Sequence, residues 1–148
     1  MKTTMEKLYQ IIDKEVANLS VLFTKLHHYH WYVKGPHFFA LHVKFEELYD
    51  EINELYDDFA ERLLTIGGEP SSTMKAYLAK ASLKEASGVQ GALDMVKDVK
   101  NDMQTIVDEL KAAIPVAQDL GDEATADLFI GTIANFEKTI WMLDYTLR

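Results

Sequence analysis

Cysteine is absent from this chain. That excludes disulfides, thiolate metal sites and thiol catalysis. Proline occurs three times and glycine seven times in 148 residues, so little interrupts long helices. No run approaches the ~18 uninterrupted apolar residues of a membrane span. The opening MKTTMEKLYQIIDKE has acids among its apolar residues and lacks the apolar core of a signal peptide. These absences point to a cytoplasmic protein. Positive charge is also scarce, with 15 Lys and Arg against 24 Asp and Glu and a formal charge of −9. Such a surface repels DNA phosphates and attracts cations. No basic tail offsets it, so strong sequence-independent DNA coating is disfavoured, and nucleoid association remains only an alternative.

Apolar residues, by contrast, are plentiful at 48%, enough for one domain over residues 1–148 with a sizeable core. They recur at alternating steps of three and four, the mark of one helix face. The first stripe runs from Met5 through Leu8, Ile12, Val16, Leu19 and Phe23 to Leu26. The second runs from Phe38 through Leu41, Phe45, Leu48, Ile52 and Leu55 to Phe59. The third runs from Val89 to Ala113 and the fourth from Phe129 to Leu147. Four stripes on one chain predict an all-α four-helix bundle. Gly35-Pro36 separates the first two helices, and Gly67-Gly68-Glu69-Pro70 ends the second. Pro115 is expected to close the third, with Gly121 as a stop and Asp122 as the next N-cap. The long second connection, residues 67–87, holds a short helical pattern of its own. Met74, Tyr77, Leu78 and Ala81 share a face there, and that face needs a partner such as another subunit.

All five histidines lie within residues 27–42, and carboxylates follow at helical spacing. His42 and Glu46 are neighbours at i, i+4, as are Asp57 and Glu61. Glu46 and Asp57 are eleven residues apart, about three turns, so both pairs face the same way. They are also separated by ~16 Å along the axis. Two-metal centres are only ~4 Å across, so one straight helix cannot bring both pairs to one site. Either the pairs do unrelated jobs or the second serves a site on another copy. A two-fold axis between antiparallel helices would produce two equivalent sites. No Glu-x-x-His motif occurs, which excludes a carboxylate site inside one bundle of the kind built on that motif. His30 ends the first helix, and the Gly35-Pro36 turn can fold it back to His42. Imidazoles with carboxylates suit iron(II), with zinc, cobalt and manganese as competitors. His27, His28 and His37 read as structural. Taken alone, the carboxylates of this stretch would read as a solvated face.

His30-Trp31, Gly35, Phe38-Phe39, His42, Glu46, Asp57 and the AERLLTIGG segment at 60–68 together resemble the Dps family, the mini-ferritins. The resemblance covers essentially the whole chain. It implies a ferritin-like bundle with a short extra helix in the second connection, assembled into a hollow dodecamer. It further implies ferroxidase sites holding two irons between two-fold-related subunits. His30, His42 and Glu46 would come from one chain, and Asp57 and Glu61 from its partner. Many members carry aspartate where this chain has Glu46. The implied reaction is oxidation of iron(II), preferably by hydrogen peroxide, with ferric mineral stored inside and protection against oxidative damage. Trp31 would intercept stray oxidising equivalents, or simply pack. Acids around the fourth helix start, Asp119, Asp122, Glu123 and Asp127, would line a pore for iron uptake, or complement the helix dipole. The rival readings are a DNA-coating protein with secondary iron chemistry and a non-catalytic helical adaptor.

Overall fold

The computed structural model describes residues 2–88 and 91–148. Five helices are found there, α1 (Thr4–Tyr32), α2 (Phe38–Thr65), α3 (Met74–Lys80), α4 (Ala92–Asp119) and α5 (Glu123–Leu147), with no strand among the described residues. The four long helices form the bundle. α1 packs along α2 and α4 along α5, while α3 lies against α1. The buried core comes from the expected stripes: Leu8, Ile12, Val16, Leu19, Leu22 and Leu26 face Phe45, Leu48, Ile52, Phe59, Val96, Val99, Leu110, Phe129 and Phe136.

Local chemistry sets the ends. Thr3 caps α1 in a reciprocal box with Glu6: its hydroxyl accepts from the Glu6 amide, and the Glu6 carboxylate accepts from the Thr3 amide, each at 3.1 Å. This satisfies two otherwise orphaned donors. α2 stops at Gly67, whose φ of +98° suits glycine. The neighbouring Gly68 leaves no room for more, because an added Cβ would lie 2.3 Å from Leu63 Cδ1. Tyr9 donates to the Ile66 carbonyl at 2.7 Å, fastening the end of α2 to the start of α1. Asp122 caps α5 as expected, accepting from the Thr125 amide.

Pro115 does not close the third helix. α4 continues through it to Asp119. Pro115 and Lys111 are both exposed, so water can hydrate the Lys111 carbonyl that loses its helical donor. Ala113 and Ala117 on the opposite side are fully packed, and that packing carries the helix past the break. The start of the third stripe, Val89, lies outside the described residues. Met5 is at the edge of the core rather than within it.

The α2–α4 connection is held by buried polar groups that periodicity does not reveal. Asp13 accepts from the Ser71 amide, the Ser71 hydroxyl and Lys80, each at 2.7 Å. Further along, the Asn18 carbonyl accepts from the amides of Ser82 and Leu83 at 2.7 and 3.2 Å. Its amide nitrogen donates to Glu15 at 2.9 Å and Glu109 at 3.0 Å. α3 buries Tyr77, and Ala81 just past its end is half-buried, while Met74 and Leu78 remain 68% and 52% exposed. The expected apolar face is therefore only half used within one chain.

Candidate metal centre

The Gly35-Pro36 turn brings the end of α1 back onto the start of α2, and with it His30 onto His42. Their rings stack at 3.7 Å between centroids and 10° between planes. The His30 Nδ1 donates to the His42 carbonyl at 2.6 Å, and the His42 Nδ1 donates to the His30 carbonyl at 2.7 Å. A carbonyl oxygen only accepts, so each Nδ1 must carry the proton. In the neutral rings both Nε2 atoms then keep their lone pairs, the form in which imidazole binds a metal. Phe38 stacks on the far side of His42 at 5.0 Å, which leaves that ring little rotational freedom. Glu46 is exposed, with Oε1 3.7 Å from His30 Nε2. That is too long for a hydrogen bond and leaves space between two donor atoms.

Asp57 and Glu61 sit further along α2, both exposed. Hydrogen bonding with Asp57, followed by the Asp57 charge, raises the Glu61 pKa above the ordinary carboxylate range. Two carboxylates crowded in this way resist ionising together, and a cation beside them removes the conflict. Among the described residues, no group of three or more His, Asp or Glu side chains stands ready to hold a metal within one chain. The structure thus brings together His30, His42 and Glu46, and leaves Asp57 and Glu61 apart.

The pattern of the second pair's neighbour also matters. Arg62 donates from Nε to the Thr125 hydroxyl at 2.9 Å and from Nη2 to Asp122 at 3.1 Å. Asp122 further accepts from the Thr125 amide and hydroxyl. Its pKa is lowered because these bonds and the Arg62 charge outweigh desolvation. Asp122 is therefore occupied as a cap, whereas Asp119, Glu123 and Asp127 are exposed.

The chain is similar to known proteins over its full length. The family described as Ferritin-like domain matches residues 9–148. A DNA protection during starvation protein of Brevibacillus brevis is 49% identical over 149 residues, covering 100% of both chains. The crystal structure of a Dps protein from Bacillus brevis superposes with a TM-score of 0.97 at 48% identity, again over 100% of both chains. This chain belongs to the Dps family. A Dps protein from Vibrio cholerae, itself a member of a broad superfamily of ferritin-like diiron-carboxylate proteins, has a TM-score of 0.94 at 30% identity over 98% of this chain and 91% of its own. Dps membership accounts for the all-helical bundle and its short extra helix. It also assigns the chain to iron storage and protection in general terms, and it fits the half-open set of donors around His30.

Several residues of this site escape a reading by motif. Tyr49 stacks face to face on His27 at 3.7 Å and 18°, and meets His30 edge-on at 5.4 Å and 86°. Desolvation raises its pKa, and the charges of Glu46 and Asp50 add to the rise. Its signal was its place three residues after Glu46, on the same helix face. His27 has the packing role expected of it, with Nδ1 donating to the Phe23 carbonyl at 2.9 Å. Trp31 is 67% exposed and touches the His27 ring at 5.5 Å, so packing within the chain does not explain it.

Proposed function

We propose that this Dps protein is a ferroxidase and iron store whose sites are shared between two-fold-related copies of a dodecamer. His30, His42 and Glu46 would hold iron(II) from one copy, and Asp57 and Glu61 would do so from its partner. One observation carries the reading. The reciprocal Nδ1-to-carbonyl bonds reserve the Nε2 of each neutral ring for a metal, and Glu46 lies 3.7 Å from the Nε2 of His30, a prepared but incomplete ligand set. Its natural complement is the Asp57/Glu61 pair, ~16 Å away along the same straight helix. A self-complementary interface brings such halves together without bending the helix.

Hydrogen peroxide is the preferred oxidant in this proposal. Two iron(II) ions supply one electron each, the O–O bond breaks, and two protons complete two waters. Pairing the electrons avoids a hydroxyl radical. The carboxylates suit the harder ferric product, which passes to mineral within the shell. Trp31, exposed beside the histidines, would intercept oxidising equivalents that escape. Asp119, Glu123 and Asp127 at the start of α5 would attract iron(II) toward the interior, with three copies focusing the field. Asp122 belongs to the same acidic cluster and acts first as the helix cap. Zinc, cobalt and manganese would compete for the same donors.

A second reading, DNA coating with secondary iron chemistry, is favoured by the name of the Brevibacillus brevis relative, a DNA protection during starvation protein. The −9 charge opposes direct strong binding to phosphates. The absence, among the described residues, of a helix long and apolar enough to cross a membrane is consistent with a cytoplasmic role. The deciding experiment loads the protein anaerobically with iron(II), then adds hydrogen peroxide or oxygen separately. The expected result is fast, soluble ferric product with peroxide and a slow response to oxygen. A time course matching a protein-free control would overturn the ferroxidase reading.

A further inference from the structure

α2 leaves a large apolar side chain in water at each end of an otherwise acidic face. Phe39 is 84% exposed in its first turn, and Leu64 is 58% exposed in its last. Between them Glu46, Asp50, Asn53 and Asp57 are exposed as well. Phe39 and Leu64 are 25 residues apart, about seven turns, and the eleven residues from Glu46 to Asp57 make about three. All four therefore lie on one side of a helix that holds no proline or glycine to bend it.

The pairs also share a centre. Glu46 and Asp57, Phe39 and Leu64, and Asp50 and Asn53 are each disposed about the point between Glu51 and Ile52. A two-fold axis passing there sets two antiparallel copies of α2 face to face. Phe39 then meets Leu64 of the second copy, Asp50 meets Asn53, and Glu46 meets Asp57. The exposed apolar side chains cover each other at both ends, and Asp50 faces an amide rather than an acid. Only Glu46 with Asp57 opposes acid to acid, and that is the place where the shared site calls for a cation. A slide of one turn in one direction carries Phe39 past the end of the facing helix and opposes Glu46 to Glu61 and Asp50 to Asp57. A slide in the other direction carries Leu64 past its start.

We infer that the exposed face of α2 docks on the same face of a second copy in this one register, with Phe39 against Leu64 as an apolar clamp at each end. The inference rests on the shared-site reading and adds the two residues that set its alignment. Their burial supplies the attraction that an acidic face, which repels its own copy, cannot.

The chain has no cysteine, so introduced pairs report contacts without background. Phe39→Cys with Leu64→Cys, oxidised in the assembled full chain in metal-free buffer, should give covalent dimers on a non-reducing gel. A two-fold contact stops at dimers, whereas a head-to-tail contact gives a ladder. Phe39→Cys with Ala60→Cys, one turn out of register, should cross-link about tenfold more slowly, because disulfide geometry is narrow. A charge pair supplies a second readout. Phe39→Lys and Leu64→Glu should each weaken assembly about tenfold in a dilution series followed by light scattering, and the double variant should regain it. Cross-linking no faster through Leu64 than through Ala60, a ladder in place of dimers, or a double variant no better than either single one would overturn the inference. Selective cross-linking through Leu64 in a protein whose wild type oxidises no iron would remove the ferroxidase reading and leave the interface. An active wild type with the wrong register would do the reverse.

Discussion

The two ends of α2 carry the same kinds of side chain and treat them differently. At its start, His42 is sandwiched between His30 and Phe38, its tautomer is set by a carbonyl, and Glu46 lies 3.7 Å from a second imidazole. At its far end, Asp57 and Glu61 are exposed and face chiefly each other. The first end is organised by α1, which folds back over it. The second is left with two carboxylates that oppose each other's ionisation. A carboxylate pair elsewhere marks the opposite extreme. Glu15, 1% exposed, and Glu109 share the Asn18 amide beneath the α3–α4 connection. Desolvation pushes the Glu15 pKa up to about 9, and its hydrogen bond with Glu109 adds to the effect. Burial raises Glu109 too, but bonds from Glu15, Ser82 and Lys14 outweigh it and leave the pKa lowered. The same functional group thus lies open beside an imidazole, crowds a second carboxylate at the surface, or keeps a proton under burial, according to what surrounds it.

The strongest way to break the comparison is to remove each end separately. His42→Ala and Asp57→Ala should each reduce peroxide-driven iron oxidation by about 100-fold. Mixed shells of the two variants should regain part of it, because some interfaces pair the two intact halves. Rates measured on shells whose mixing is verified by mass spectrometry decide this, and no regain would count against a shared site.

A smaller effect is expected at the start of α5. Glu123→Gln with Asp127→Asn should slow iron uptake by roughly tenfold at low ionic strength, and salt should narrow the gap. Stopped-flow rates across a salt series distinguish this from a loss at the ligands, which salt would not rescue.

Asp122 should behave differently from those two acids despite sharing their cluster. Asp122→Ala removes the cap of α5 and the partner of Arg62, costing about 1–2 kcal/mol. That lowers Tm by a few degrees. Calorimetry should show the fall while cobalt binding at the His30 end persists.

Apart from the activity tests stands the pH response of Glu15. Between its ordinary value and about 9, the folded state keeps a proton that the unfolded chain releases. Stability from this group is therefore full below the ordinary carboxylate range, falls as pH rises through the window, and levels off above about 9. Glu109 has the opposite sign: its contribution is present above its ordinary value and lost as pH falls through the lowered one. Glu15→Gln should flatten the decline in Tm between pH 6 and 9 relative to wild type, and an unchanged slope would place the proton elsewhere.

The sequence by itself determined the four apolar stripes, the Asp122 cap and the register of the two candidate pairs, His42 with Glu46 and Asp57 with Glu61. Each is a local matter of helical period or of a side chain meeting a nearby amide. It also excluded closing both pairs within one straight helix, since that depends only on rise per residue. Tertiary structure decided the rest. Pro115 stays inside α4 because the buried side at Ala113 and Ala117 outweighs a break on the wet side. Asn18 and Asp13 anchor a connection that lies more than fifty residues away in the chain. The tautomers of His30 and His42 depend on each other's carbonyls across the Gly35-Pro36 turn, and the Tyr49–His27 stack depends on α1 lying against α2. These are contacts between elements, and no spacing along one helix encodes them.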